Sequence, residues 1–77
     1  SIMKELLLYI ARNLVEHPAD VTVTEIQGEQ ELTLELRVAP EDMGMVIGKN
    51  GKIAKAIRSV IKAASANCGK KVNVEIK

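Results

Sequence analysis

The chain has 77 residues, 47% of them hydrophobic and 1% aromatic, with eleven Lys and Arg against ten Asp and Glu. A chain this short holds one core, so residues 1–77 are expected to form a single domain. One Cys and one His rule out an internal disulfide, a Cys- or His-based metal site and a catalytic triad within one chain. No apolar run approaches the ~18–20 residues needed to cross a membrane, and no signal-peptide pattern opens the chain. The expectation is a soluble cytoplasmic protein that is no enzyme, with no membrane partner, no metal and no small-molecule cofactor. Ser1-Ile2 stand before Met3, which leaves open whether Met3 is the natural start.

The net charge of +1 conceals a division. Residues 1–42 carry three basic and nine acidic side chains, a net of −6, and residues 43–77 carry eight basic and one acidic, a net of +7. Two readings remain open at this point. The split suits a surface that faces a polyanion, and it equally suits two halves whose opposite charges favour their packing.

The spacing of Met3, Leu6, Leu7, Ile10 and Leu14 predicts a helix over residues 3–16 with one apolar stripe. Leu8 and Tyr9 fall off that stripe. His17-Pro18 stops the helix, because a residue before proline avoids the α region, and a cation at His17 would suit the helix dipole. A strand follows over 21–26, then a turn at Gln27-Gly28-Glu29-Gln30. A second strand covers 31–38, with Leu32, Leu34, Leu36 and Val38 facing inward and Glu31, Thr33, Glu35 and Arg37 facing water. Ala39-Pro40-Glu41-Asp42 opens a short helix that reaches Gly48, with proline at its first turn and two carboxylates suiting the dipole. A longer helix is predicted from about Gly51 to about Asn67. Its apolar face is Ile53, Ile57, Val60, Ile61 and Ala64, and Lys55, Arg58 and Lys62 point the other way. Cys68-Gly69 reads as the helix end, with the cysteine a small apolar group there, and Val72, Val74 and Ile76 mark a last strand.

The segment VIGKNGKIAKAI, residues 46–57, carries the chemistry. Two glycines three apart join two helices almost without a linker. Glycine lacks a Cβ, so the corner can take unusual dihedrals and a polymer backbone can come close. The amides opening the following helix carry partial positive charge, and Lys49 and Lys52 add full charges beside them. The glycine spacing fits neither the Walker loop nor the dinucleotide fingerprint.

At these residues the chain resembles the KH domain, whose signature is Gly-x-x-Gly between two helices with apolar residues on both sides. The order helix-strand-strand-helix-helix-strand is similar to the type II arrangement. KELLLYIARNLVEHP, LELRVAPEDMGMVIGKNG and KIAKAIRSVIKAA extend the resemblance, over nearly the whole chain, to the small bacterial single-KH proteins of the KhpA type. The resemblance implies an α+β fold, a three-stranded mixed sheet packed on one face by three helices. It also implies binding of single-stranded RNA between the glycine corner and the sheet, with about four nucleotides held. A post-transcriptional regulator or RNA chaperone of low sequence specificity follows from it.

Carried across by position, Gly48 and Gly51 match the signature glycines, Lys49 and Asn50 its two variable positions, and Ile47 and Ile53 its apolar flanks. Lys52 is read as a further phosphate contact, and Lys55 and Arg58 as electrostatic support. The competing class is a protein-interaction module, a homodimer or a pair with a second KH protein, with Ile61, Leu8 and Tyr9 as its interface.

Overall fold

The computed structural model describes residues 1–77. Helix α1 spans Ile2–Leu14, strand β1 Thr22–Gln27 and strand β2 Glu31–Arg37. Helix α2 spans Met43–Ile47, helix α3 Lys52–Ala64 and strand β3 Lys71–Ile76. Short 3-10 turns at Pro18–Asp20, Pro40–Asp42 and Lys49–Gly51 join them. The sheet order is β1-β2-β3, antiparallel between β1 and β2 and parallel between β2 and β3. This is the α+β, three-helix, mixed-sheet architecture that the resemblance implies, with β1 and β3 as the two edges.

The hairpin follows the alternation in the sequence. Leu32, Leu34 and Leu36 are buried, and Val23 pairs across from Leu36. The core joins these to Leu7, Leu8 and Ala11 of α1, Val46 of α2, Ile57 and Ile61 of α3 and Val74 of β3. On the outer face Glu35 accepts from Lys77 Nζ at 2.9 Å and lies 3.9 Å from Arg37.

Both long helices are rotated from the expected stripes. In α1 the buried residues are Leu7, Leu8 and Ala11, and Leu14 is exposed. In α3 they are Ala54, Ile57 and Ile61, continued by Ser65 beyond the helix end, and Val60 is 47% exposed. Alanines at 11 and 54 are buried beside the larger residues because small side chains let a helix approach its neighbour closely, which a count of large apolar residues overlooks. Leu8 and Ile61 were expected at an interface between chains. They are instead enclosed in the core of one chain, 9% and 0% exposed, and have little or no surface to offer a partner. Tyr9 does stand free, at 69% exposure.

Three further expectations change. Helix α3 ends at Ala64, not near Asn67, and Gly69 serves the turn into β3 with a φ of +80°. Cys68 is exposed, its Sγ 3.2 Å from the Lys70 carbonyl. His17 and Asp42 do not stand free at helix ends but meet each other. Asp42 is fully buried and accepts from the backbone N–H of Glu16 and of His17 at 3.3 and 2.9 Å, and its Oδ2 lies 3.0 Å from His17 Nδ1. This clasp ties the end of α1 to the start of α2. Burial alone would raise the Asp42 pKa, but the bonds from the His17 ring and the two amides outweigh it and hold the carboxyl below its usual range. The hydrogen bond to Asp42, then its charge, raises His17.

Candidate functional site

The glycine corner is held from both sides. The Gly48 N–H donates to the Gly44 carbonyl at 2.9 Å and closes α2. Gly48 itself has φ +76° and ψ 173°, a region open in practice only to glycine. A Cβ there would lie 2.6 Å from Ile53 Cγ1 and 2.9 Å from the Ile53 backbone nitrogen. Ile53 thus packs where a side chain at 48 would stand.

Asn50 (φ +58°, ψ 25°) and Gly51 (φ +74°, ψ 15°) then take left-handed conformations that turn the chain into α3. Asparagine tolerates that region better than most residues, so position 50 has a conformational role that the spacing did not reveal. A Cβ on Gly51 would meet nothing within 4 Å, which leaves its outer side open to an approaching backbone.

The amides are less free than the sequence implied. The Gly51 N–H donates to the Gly48 carbonyl at 3.1 Å, and the Lys52 N–H to the Lys49 carbonyl. A phosphate at this corner therefore depends more on the lysines than a helix start alone would require. Lys49, Asn50 and Lys52 are exposed, and Ile47 and Ile53 are half-buried. The seven residues 47–53 form one continuous corner, and Lys55 stands exposed one turn further along α3.

A groove lies between the later turns of α3 and the start of β3. The chain reverses over residues 65–70, so β3 returns alongside the helix it follows. The space between them is about 410 Å³ and is lined by Arg58, Lys62, Lys70, Lys71, Val72 and Val74, among others. None of its lining residues is acidic. Arg58 does more than face away from the core: its Nε donates to the Val74 carbonyl at 3.2 Å. Lys70 reaches the hairpin turn, donating to the Gln27 side chain and the Gly28 carbonyl. Lys70 and Lys71 were not foreseen as part of the site, although two lysines at the turn between a basic helix and an edge strand carried the signal.

A second groove, about 440 Å³, lies between α1 and α3. Its lining is apolar except for Lys52 and includes Tyr9, Leu14, Ile53 and Val60. No group of three or more His, Cys, Asp or Glu side chains is placed to hold a metal ion, and no helix is long and apolar enough to cross a membrane.

A KH-domain family model, described as KhpA/KhpB, matches residues 4–76. The chain belongs to this family. Within it, the chain is similar to RNA-binding protein KhpA of Clostridium perfringens, at 61% identity over 74 residues, covering 96% of this chain and 99% of that one. The KhpA of Clostridium acetobutylicum is 62% identical over the same coverage, and that of Aquifex aeolicus 43% identical over 76 residues, covering 99% and 96%. Among solved structures, Era of Aquifex aeolicus, crystallised with GDP and AlF4, superposes with a TM-score of 0.71 at 20% identity. The match covers 97% of this chain and 29% of that one, so it bears on the KH fold alone.

Proposed function

We propose that this KH domain binds single-stranded RNA, with the sugar-phosphate backbone clamped at Gly48-Lys49-Asn50-Gly51 and the bases laid along α3 and β3. The observation that carries the reading is the concentration of free cations along one helix. A corner with open space over Gly51 and three unpaired polar side chains opens α3, and the far half of the same helix borders a groove with four cations. The relatives named above are RNA-binding proteins, and their similarity extends over 96% or more of this chain.

The loop would hold phosphates through Lys49, Lys52 and its remaining amides, while half-buried Val72 gives bases an aliphatic floor. No aromatic platform contributes, so affinity per domain is low and sequence preference weak. That profile fits a post-transcriptional regulator or RNA chaperone. The test is the double substitution Lys49→Asp, Asn50→Asp, in which aspartate keeps the left-handed conformation at 50 accessible. The circular-dichroism spectrum is expected to be unchanged and binding to a single-stranded RNA pool lost. Unchanged binding would remove the loop from the site.

A second reading has its own support in the apolar groove between α1 and α3, where Tyr9, Leu14 and Val60 are exposed. That face suits self-association or pairing with a second KH protein. Sedimentation of the RNA-free protein decides: a strict monomer at high micromolar concentration counts against self-association.

A further inference from the structure

Asp42 stands at the N-terminus of α2, the position from which an aspartate ordinarily caps the amides of its own helix. Its side chain makes no such bond. Both oxygens turn back to the tail of α1 instead. Oδ1 accepts from the Glu16 N–H at 3.3 Å, and Oδ2 meets the His17 N–H at 2.9 Å and the His17 ring at 3.0 Å. The carboxylate is fully buried, and a buried charge is a costly way to join two segments that apolar packing could join. What it adds over packing is register, since three directed bonds hold the two segments in one arrangement.

That arrangement reaches the glycine corner through α2. Five residues are too few for a helix to hold itself, so α2 is placed by what grips it. The clasp grips its start, and fully buried Val46 seats it in the core. At its end the Gly48 N–H bonds to Gly44, and Gly48 rests against Ile53 with no room for a Cβ. Asp42 and Gly48 are separated by less than two turns of helix, about 9 Å, with no loop residue between them. A displacement at the clasp therefore arrives at Gly48 with no slack to absorb it.

We propose that Asp42 is a positioning residue for RNA binding: its clasp on Glu16 and His17 sets the attitude of α2, and so the place at which Gly48 presents the corner to a phosphate. This rests on the RNA-binding reading above and deepens it. Asp42 is buried and offers the strand no contact of its own, so any effect on binding passes through the corner. His17 is the accessible half of the clasp. Its side chain is half exposed, and replacing it opens no cavity in the core.

The test measures affinity for a single-stranded RNA pool, stability to urea and, in the isotope-labelled protein without RNA, the amide signals of Gly48 and Gly51. Asp42→Asn and His17→Ala are each expected to weaken binding at least about fivefold and to shift both signals. In His17→Asn the amide nitrogen stands where Nδ1 does and still donates to Asp42, so binding is expected within about twofold of wild type. The control is Leu32→Val or Leu32→Ala, whichever matches the stability lost in His17→Ala. Leu32 lies at the far end of α3 from the corner, beside Ala64 and Asn67. Its variant is expected to bind within about twofold of wild type, with both amide signals in place. Should Asp42→Asn fail to fold, the two His17 variants and the control decide. The proposal is overturned by wild-type binding in His17→Ala, by unmoved amide signals, by a His17→Asn as weak as His17→Ala, or by an equal loss in the control. Each of those outcomes leaves RNA binding at the corner standing. A wild type that binds none of the pool overturns the RNA-binding reading, and this proposal with it.

Discussion

The two signature glycines are required for different reasons. Gly51 needs its backbone conformation but no space, whereas Gly48 needs both. Gly51→Ala is accordingly expected to cost about 1–2 kcal/mol, the penalty of a left-handed alanine. Gly48→Ala should cost more than about 2 kcal/mol, since overpacking against Ile53 adds to the strain. Urea unfolding of the two variants gives the order directly, and equal losses would contradict it. The buried carboxylate makes a second prediction at this scale. The raised pKa of His17 means that its stabilising effect is complete below 6.5 and is lost as pH rises through the folded-state value. The lowered pKa of Asp42 means that its effect is present above 3.8 and is lost as pH falls further. The urea midpoint is therefore expected to peak between those values and to decline on both sides. His17→Gln should abolish the decline on the alkaline side, and a persisting decline would assign it to another group. None of this was legible in the sequence: a carboxylate in a helix's first turn reads as solvated, and its partners lie some 25 residues back in the chain.

Among the elements, the strands were readable and the helix rotations were not. Alternation has a period of two, so it allows only one inward face, and Leu32, Leu34 and Leu36 lie where it placed them. A helical stripe tolerates a shift of one residue when two neighbours share the helix. In α3 the buried line through Ala54, Ile57 and Ile61 has Arg58 and Lys62 on one flank, towards β3. Ala56 and Val60 lie on the other flank, towards α1. Val60 and Ile61 shared one apolar face by periodicity, with Ile61 also offered as an interface residue, and the structure buries Ile61 and exposes Val60. Ile61→Ala is expected to cost about 2–5 kcal/mol by chemical denaturation. Val60→Ala should stay within about 1 kcal/mol, because its side chain already meets water. The corner itself was legible, since glycine spacing and flanking lysines are local. The β3 side of the groove was not, because only the folded chain brings residues 70–74 beside Arg58.

For the molecule as a whole, the division of charge acquires a location. The basic half supplies the corner and both walls of the α3–β3 groove, and the acidic half supplies α1 and the whole hairpin. A near-neutral total then means local attraction for a polyanion, without general stickiness. With about three phosphates neutralised on a single strand, the logarithm of the RNA association constant should fall with the logarithm of salt at a slope of about −2. A slope near −5 would mean that the whole basic half engages the strand. Helix α3 is the partition between the two grooves, and occupying the apolar one leaves the basic one uncovered. Two chains packed through their α1–α3 faces would therefore form a bivalent particle with both basic grooves outward and with Lys52 and Ile53 of each corner bordering the contact. A transcript with two short target stretches, spaced to reach both, would bind the second at the effective concentration of a tether, so weak single sites need not mean weak occupancy.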